Sequence, residues 1–335
     1  MKNTVKKILK SAAGLFAVAL FTLPAFSQQA LQGGVKQQIK DVQSAIKAKG
    51  AKWTAGETNV SATREDWKYL VGFNFETLSA EPIELTAAAE LPAALDWRAA
   101  NGNYVTAPRN QKKCGSCWAF AMTGGLEAYT LLKNNTPGKD LDLSEQVMVS
   151  CSGAGSCQGG RMNAAFLQKS GLPLESAYPY TATDGSCAAA AAGWQSGAYK
   201  VGAWGSVAHD VPSLKTALVK YGPMPVAMMV YEDFMHYKNG VYSYTTGKQL
   251  GGHAVLLVGY NDDGQYFIVK NSWDTGWGEG GFFRVAYSEV STAVNFGMSA
   301  IAYRSAKDEQ PVGEAVRAGT WSRVARMFEP LASWK

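Results

Sequence analysis

Cys117, His253 and Asn271 are the residues of this chain whose types and spacing point to nucleophilic chemistry. Cys117 lies in Gln111-Lys112-Lys113-Cys114-Gly115-Ser116-Cys117-Trp118-Ala119-Phe120 and opens a helical run through Leu126, Glu127, Ala128 and Leu131. A sulfur at a helix N-terminus is favoured as thiolate, the attacking form. A thiolate that attacks a carbonyl needs an imidazole to hold the ion pair and to protonate the leaving group. The histidines are His209, His236 and His253. His253 sits in the apolar run Gly251-Gly252-His253-Ala254-Val255-Leu256-Leu257-Val258, which reads as a buried strand. A second strand, Tyr266 to Lys270, ends at Asn271, and Asn261-Asp262-Asp263-Gly264 joins the two as a hairpin. That hairpin places Asn271 beside His253, where its side-chain oxygen would fix the ring. His209 and His236 carry no partner signal and read as structural. Taken alone, Cys114-x-x-Cys117 also reads as a redox pair or half a metal site.

The string Cys-Gly-Ser-Cys-Trp at 114–118 resembles the nucleophile segment of papain-like cysteine proteases. His253-Ala254-Val255 and Lys270-Asn271-Ser272-Trp273, followed by Gly276-Trp277-Gly278, resemble that family's histidine and asparagine motifs. His253 and Asn271 follow Cys117 by 136 and 154 residues, in or close to the family window. The resemblance implies Cys117 as nucleophile, His253 as its acid–base partner, Asn271 as the ring's orienter and Gln111 as an oxyanion donor. It also implies an α+β fold of two lobes, helical and β-barrel-like, with the site in the cleft between them. Two positions depart from the pattern: Lys112 and Asp274 stand where the family has glycine. If Lys112 needs a positive φ, it is strained there.

Five cysteines leave four once a nucleophile is set aside, enough for two disulfides in any of three connectivities. The resemblance implies Cys114–Cys157 and Cys151–Cys187. A zinc site from the same cysteines finds no helpful histidine nearby, so neither metal nor cofactor is expected. Phe296 occupies the place of a further family cysteine, and apolar packing is expected to substitute. Disulfides require an oxidising compartment. Residues 1–27 supply the route: four lysines in the first ten residues, an apolar run from Ala12 to Phe21, and Ala25-Phe26-Ser27 before the expected cut. This reads as a signal peptide for bacterial secretion or export to the periplasm, with no membrane-spanning segment after its removal.

A net charge of +5 is mild and excludes nothing but a strongly basic nucleic-acid binder; no nucleic-acid partner is expected. Residues 28–90 lack cysteine, and Val35, Ile39, Val42 and Ile46 fall on one face of a helix. With Trp53-Thr54-Ala55-Gly56, Asn59 and Trp67 to Gly72, this part resembles a cathepsin B-like propeptide, an inhibitor that covers the cleft until removed. Glu81 to Glu90 reads as the exposed linker that is cut. The catalytic domain would span 91–304, starting at Leu91-Pro92-Ala93-Ala94-Leu95-Asp96-Trp97. Residues 305–335 form a partly amphipathic extension, read as packing on the enzyme surface ahead of a partner or membrane-surface role, which stays open.

Carried over residue by residue, the resemblance puts Gly159, Gly160, Met162, Gly251, Gly252, Trp273 and Ile301 around the substrate, with Leu250 and Ala227 alongside. Met, small residues and Ile imply an apolar residue at P2, the second before the cut bond. The histidine-bearing insertion that caps cathepsin B is missing between Gly160 and Tyr178, which implies an open cleft and an endopeptidase. The expectation is a monomeric, exported cysteine endopeptidase made as a zymogen, acting on proteins or peptides. Two other readings stay open on residues alone: a catalytically silent binder of the same fold, for which Lys112 speaks, and a thiol–disulfide oxidoreductase using Cys114 and Cys117.

Overall fold

The chain is described by a computed structural model covering residues 25–75, 80–85 and 90–305, with backbone alone for 25–33. Most of the expected export signal and all but the first residue of the extension lie outside the described residues. At the N-terminal end, α1 (Ala25–Lys49) buries Ile39 and Val42, with Val35 and Ile46 half-buried on the same stripe. Lys47 and Lys49 in its last turn complement the negative end of the helix. The chain then turns into β1 (Lys52–Ala55), whose alternating pattern buries Trp53 and Ala55.

The main body is two-lobed. After the short β2 (Ala94–Asp96), the helical lobe is built on α2 (Cys117–Asn134), buried on all sides from Cys117 to Leu131. A helix apolar all round belongs in a core, and this one is the post on which both lobes pack. Asn135 ends it in the left-handed conformation, its N–H reaching the carbonyls of Leu131 and Leu132. Next comes α3 (Glu145–Cys151), started by Ser144, whose hydroxyl accepts the Val147 N–H at 3.1 Å. The ribbon of β3 (Gly155–Ser156) and β4 (Gly159–Gly160) follows, then α4 (Ala164–Lys169). Cys114–Cys157 ties the α2 entry to this ribbon, and Cys151–Cys187 ties α3 to the following loop. Bridges closing loops of 43 and 36 residues remove about 3–4 kcal/mol each of unfolded-chain entropy.

The second lobe is strand-rich, as expected. β5 (Ala203–Ser206), α5 (Val211–Tyr221), β6 (Met224–Tyr231), β7 (Tyr237–Tyr242), β8 (Gln249–Asn261), β9 (Tyr266–Lys270), β10 (Phe282–Ala286) and β11 (Ile301–Arg304) complete the chain. One sheet runs β1-β7-β10-β9-β8-β2, with β6 also paired to β8. The N-terminal segment therefore joins this sheet as an edge strand: β1 is antiparallel to β7, with Trp53 opposite Gly240. Inside the lobe, Phe234 meets Tyr242, Trp277, Phe283 and Trp273 at centroid distances of 4.7, 4.8, 5.0 and 5.6 Å. This aromatic block backs the loop after β9. Phe296 is fully buried 5.5 Å from Phe267, the apolar substitution expected for the missing bridge.

The expected linker is not wholly free. The Ile83 N–H donates to the Ser206 carbonyl and the Ser206 N–H to that of Glu81, at 2.8 and 2.9 Å. The edge of β5 had unpaired backbone groups, and residues 81–83 satisfy them.

Candidate active site

Cys117 is the first residue of α2 and the free cysteine among the described residues. Its Sγ accepts the N–H of Ala254 at 3.4 Å, so the sulfur from the helical lobe touches the β8 strand beside His253 in the other lobe. Cys114 is bridged to Cys157 and has no bond to Cys117, which removes the redox pairing. His253 and Asn271 come from neighbouring strands of the expected hairpin, β8 and the end of β9. The His253 Nε2–H donates to Asn271 Oδ1 at 2.8 Å. The same oxygen accepts the Ser272 N–H at 2.8 Å, which fixes the amide's orientation. That tautomer leaves the lone pair on Nδ1. The Trp273 ring stacks on the imidazole at 4.8 Å and screens the pair from water.

Gln111 is fully buried. Its Oε1 accepts from Ser272 Oγ at 2.7 Å, and its Nε2 donates to the carbonyls of Cys114 and Tyr69, both at 3.0 Å. Lys112 does have a positive φ, +53°, and so does Asp274, +69°. Both departures from the family pattern thus fall where the backbone is left-handed.

Residues 69–74 of the N-terminal segment fill the cleft. The Trp273 indole donates to the Leu70 carbonyl at 3.3 Å. Gly72 and Phe73 both donate their N–H to the Gly252 carbonyl at 3.0 Å. The Gly160 N–H donates to Gly72, and the Asn74 N–H to Gly160, both at 2.8 Å. Phe73 is bridged to Gly160 in the parallel sense. Gly72 lies against the nucleophile loop; a Cβ on it would stand 2.2 Å from the Gly115 oxygen. Gly160 has the same reason to lack a side chain, since its Cβ would enter the Trp118 ring at 2.5 Å.

This cover reverses the expectation of a thiolate. Burial pushes the Cys117 thiol up to about 11, outweighing the hydrogen bonds from Ala254, Gly72 and Trp118 that favour the anion. Burial also pulls His253 down to about 4, against the opposing hydrogen bond to Asn271. In the covered state, the pair is thiol and neutral imidazole.

Of the expected substrate positions, Gly160, Gly252 and Trp273 hydrogen-bond the segment through backbone or indole. Gly159, whose Cβ would meet the Gly72 oxygen, Gly160 and Gly252 flank residues 72–74; a Gly251 Cβ would meet Val71. Met162, Ala227 and Ile301 are buried in the core, and Leu250 is half-buried at its edge.

Other residues of the site had no legible signal. His236, read as structural, is buried against the N-terminal segment: its Nδ1 meets Ser61 Oγ at 3.0 Å and its ring stands edge-on to Trp67 at 5.8 Å. Lys270, next to Asn271, is buried with its Nζ 2.8 Å from Thr106 Oγ1 and 4.0 Å from Glu127 of α2. Burial raises Glu127 and lowers Lys270, each held back by the other's charge. One lobe supplies each partner, so the pair pins β9 to α2 just behind the site. Among the described residues no cluster of histidines, cysteines and carboxylates has the makings of a metal site.

The geometry is matched by relatives. The pattern described as papain family cysteine protease covers residues 91–303. The chain is 33% identical over 291 residues to "Cathepsin B-like CP3" of Giardia intestinalis, spanning 81% of this chain and 92% of that one. It is 41% identical over 205 residues to "Cathepsin L-like proteinase" of Fasciola hepatica, covering 58% of this chain and 60% of the fluke protein's length. Among solved structures, the digestive procathepsin L2 proteinase of Tenebrio molitor larval midgut superposes with a TM-score of 0.69 at 29% identity, over 84% of this chain and 94% of that one. With a free cysteine at the head of α2, a histidine–asparagine pair on the facing strands and a family match over residues 91–303, the chain belongs to the papain family of cysteine proteases.

Proposed function

We propose that the processed protein is an exported, monomeric cysteine endopeptidase that prefers an apolar residue at P2 and is made as a zymogen with residues 28–90 as its inhibitory propeptide. The carrying observation is the run of backbone hydrogen bonds that residues 69–74 make to Gln111, Trp273, Gly252 and Gly160 across the buried Cys117. These are the groups a peptide substrate would use, and the propeptide occupies them first. Phe73, buried and bridged to Gly160, reads as the stand-in for an apolar P2 side chain.

Once the segment leaves, water reaches Cys117 and His253 and the burial penalty on the charged forms falls. The helix N-terminus and backbone N–H groups then favour the thiolate, with the proton on His253. The sulfur attacks the peptide carbonyl, and the oxyanion accepts from the Gln111 amide and the Cys117 N–H. Such donors lower the barrier by about 3–4 kcal/mol. As the C–N bond breaks, the imidazolium gives its proton to the leaving amine, and a thioester remains. Water then adds with its proton taken by His253, releasing the acid and regenerating the thiolate. Asn271 holds the ring in register throughout.

The test is hydrolysis of fluorogenic peptides by the processed enzyme. Leu, Val or Phe at P2 should be cleaved at least about tenfold faster than Arg or Asp, one buried apolar side chain being worth about 1.5–3 kcal/mol. A preference for Arg would refute the pocket, and no cleavage by wild type would refute the enzyme.

A further inference from the structure

Two residues on the rim of the site hold a backbone conformation suited to glycine, and one side chain binds both. Lys112 follows the oxyanion donor Gln111, and Asp274 follows Trp273, three positions after Asn271. Their φ values are +53° and +69°. For a residue with a Cβ, such a conformation costs about 1 kcal/mol or more and persists only when its surroundings impose it. Asn110, half-buried, bonds to both residues. Its Oδ1 accepts the Lys112 N–H at 2.8 Å, and its Nδ2 donates to Asp274 Oδ2 at 3.1 Å. The Asp274 carboxylate is held below its usual range, first by the Thr275 N–H and then by Asn110. Around this side chain the two loops are laced by backbone: Gln111 N–H to Ser272 at 2.9 Å, and Asp274 N–H to Arg109 at 3.0 Å.

Gln111 belongs to the loop that carries the nucleophile, whereas Asp274 belongs to the loop that carries Asn271. We propose that Asn110 is a positioning residue for the oxyanion donor: by clasping Lys112 and Asp274 it fixes Gln111 relative to Cys117, a task that glycines at those two places would make less demanding. This rests on the peptidase reading. Asn110 itself touches neither substrate nor sulfur; it acts through the Gln111 backbone. Loss of the clasp frees Lys112 to relax to negative φ, which turns the peptide that follows Gln111 and displaces its amide. Misplacing an oxyanion donor is felt in the transition state, not in ground-state binding.

The experiment uses processed enzyme and three readouts: hydrolysis of a fluorogenic peptide, inhibition by a peptide aldehyde whose adduct oxygen sits where the oxyanion forms, and alkylation of Cys117 by iodoacetamide, which forms no oxyanion. Asn110→Ala should lower kcat about tenfold with KM within twofold, and weaken aldehyde binding by a similar factor, while the alkylation rate stays within twofold. Asn110→Ala combined with Lys112→Gly should recover most of the lost kcat, because glycine holds the left-handed backbone without help. The retained alkylation rate also answers a folding defect in the first variant, since a misfolded site would lose its reaction with iodoacetamide as well. Equal falls in hydrolysis and alkylation, unchanged aldehyde affinity, or no rescue by Lys112→Gly would each overturn the proposal. A wild-type enzyme inert to both peptide and iodoacetamide would instead sink the peptidase reading beneath it.

Discussion

The side-chain amide of Gln111 donates to the carbonyl oxygen of Tyr69 at 3.0 Å, so the donor assigned to the oxyanion is already occupied by the chain's own N-terminal segment. On the proposed reading one group serves inhibition and catalysis in turn. Gln111→Ala should lower kcat of the processed enzyme by about 100- to 1,000-fold and also weaken inhibition by added propeptide. Steady-state kinetics and a propeptide titration check both effects. A loss of inhibition without loss of kcat would mean that Gln111 only anchors the segment.

Gly72 is the propeptide residue that can least accept a side chain. Its Cβ would lie 2.2 Å from the Gly115 oxygen, a backbone atom that cannot swing away. Overpacking of this kind costs about 1–3 kcal/mol, so Gly72→Ala should weaken propeptide binding about 5- to 150-fold. The measurement is the inhibition constant of synthetic wild-type and Gly72→Ala propeptides against the same processed enzyme.

His236 is expected to make docking of the propeptide depend on pH. Its surroundings are Ser61 Oγ, the Trp67 ring, the Arg64 cation and the Glu232 carboxylate, and burial with Arg64 pulls it down to about 4 although Glu232 opposes them. The docked form therefore holds fewer protons than an open form in which the ring regains water and its ordinary value of about 6.5. The contribution of this neutral ring is fully present above about pH 6.5 and is lost as pH falls towards 4, by up to about tenfold in the docking constant per pH unit. Propeptide inhibition should weaken across that window, and His236→Gln, neutral at all pH values, should flatten the profile. An unchanged profile in His236→Gln would place the acid response elsewhere.

Asn271 spends its oxygen on His253 and on the Ser272 N–H. Removing that acceptor leaves the ring free to turn and its Nε2–H without a partner. Asn271→Ala should lower kcat about 10- to 100-fold, the worth of a buried hydrogen bond of about 1.5–3 kcal/mol to a ring that becomes charged. Asn271→Asp offers a stronger acceptor and should hold the imidazolium to higher pH, visible as a raised alkaline limb in the pH–rate profile.

Much of this site was legible in the chain. Cys117, His253 and Asn271 announced themselves by residue type, order and spacing, and the hairpin turn at Asn261 to Gly264 told which strands would be neighbours. Lys112 and Asp274 stood out because glycine was expected, and the backbone there is indeed left-handed. What could not be read were relations between distant segments. Nothing around His236 marks it as a seat for Ser61 and Trp67, since 175 residues separate His236 from Ser61. The neutral state of the Cys117–His253 pair was equally hidden: the helix start favours a thiolate, but with residues 69–74 in the cleft burial outweighs it. The burial of Lys270 was also hidden, since its partners Glu127 and Thr106 lie far away in the chain, in the other lobe.

The central claim is that residues 69–74 mask a Cys117 nucleophile that their removal arms. The most direct measurement is stoichiometric labelling by a thiol-directed epoxide before and after incubation of the proform at mildly acidic pH, with the new N-terminus sequenced. The account predicts slow labelling of the proform, and then one label per chain on Cys117 as a terminus near Leu91 and peptidase activity appear together, all lost in Cys117→Ala. Rapid labelling of the intact proform, or a processed chain that takes no label on Cys117 yet still cleaves peptides, would contradict it.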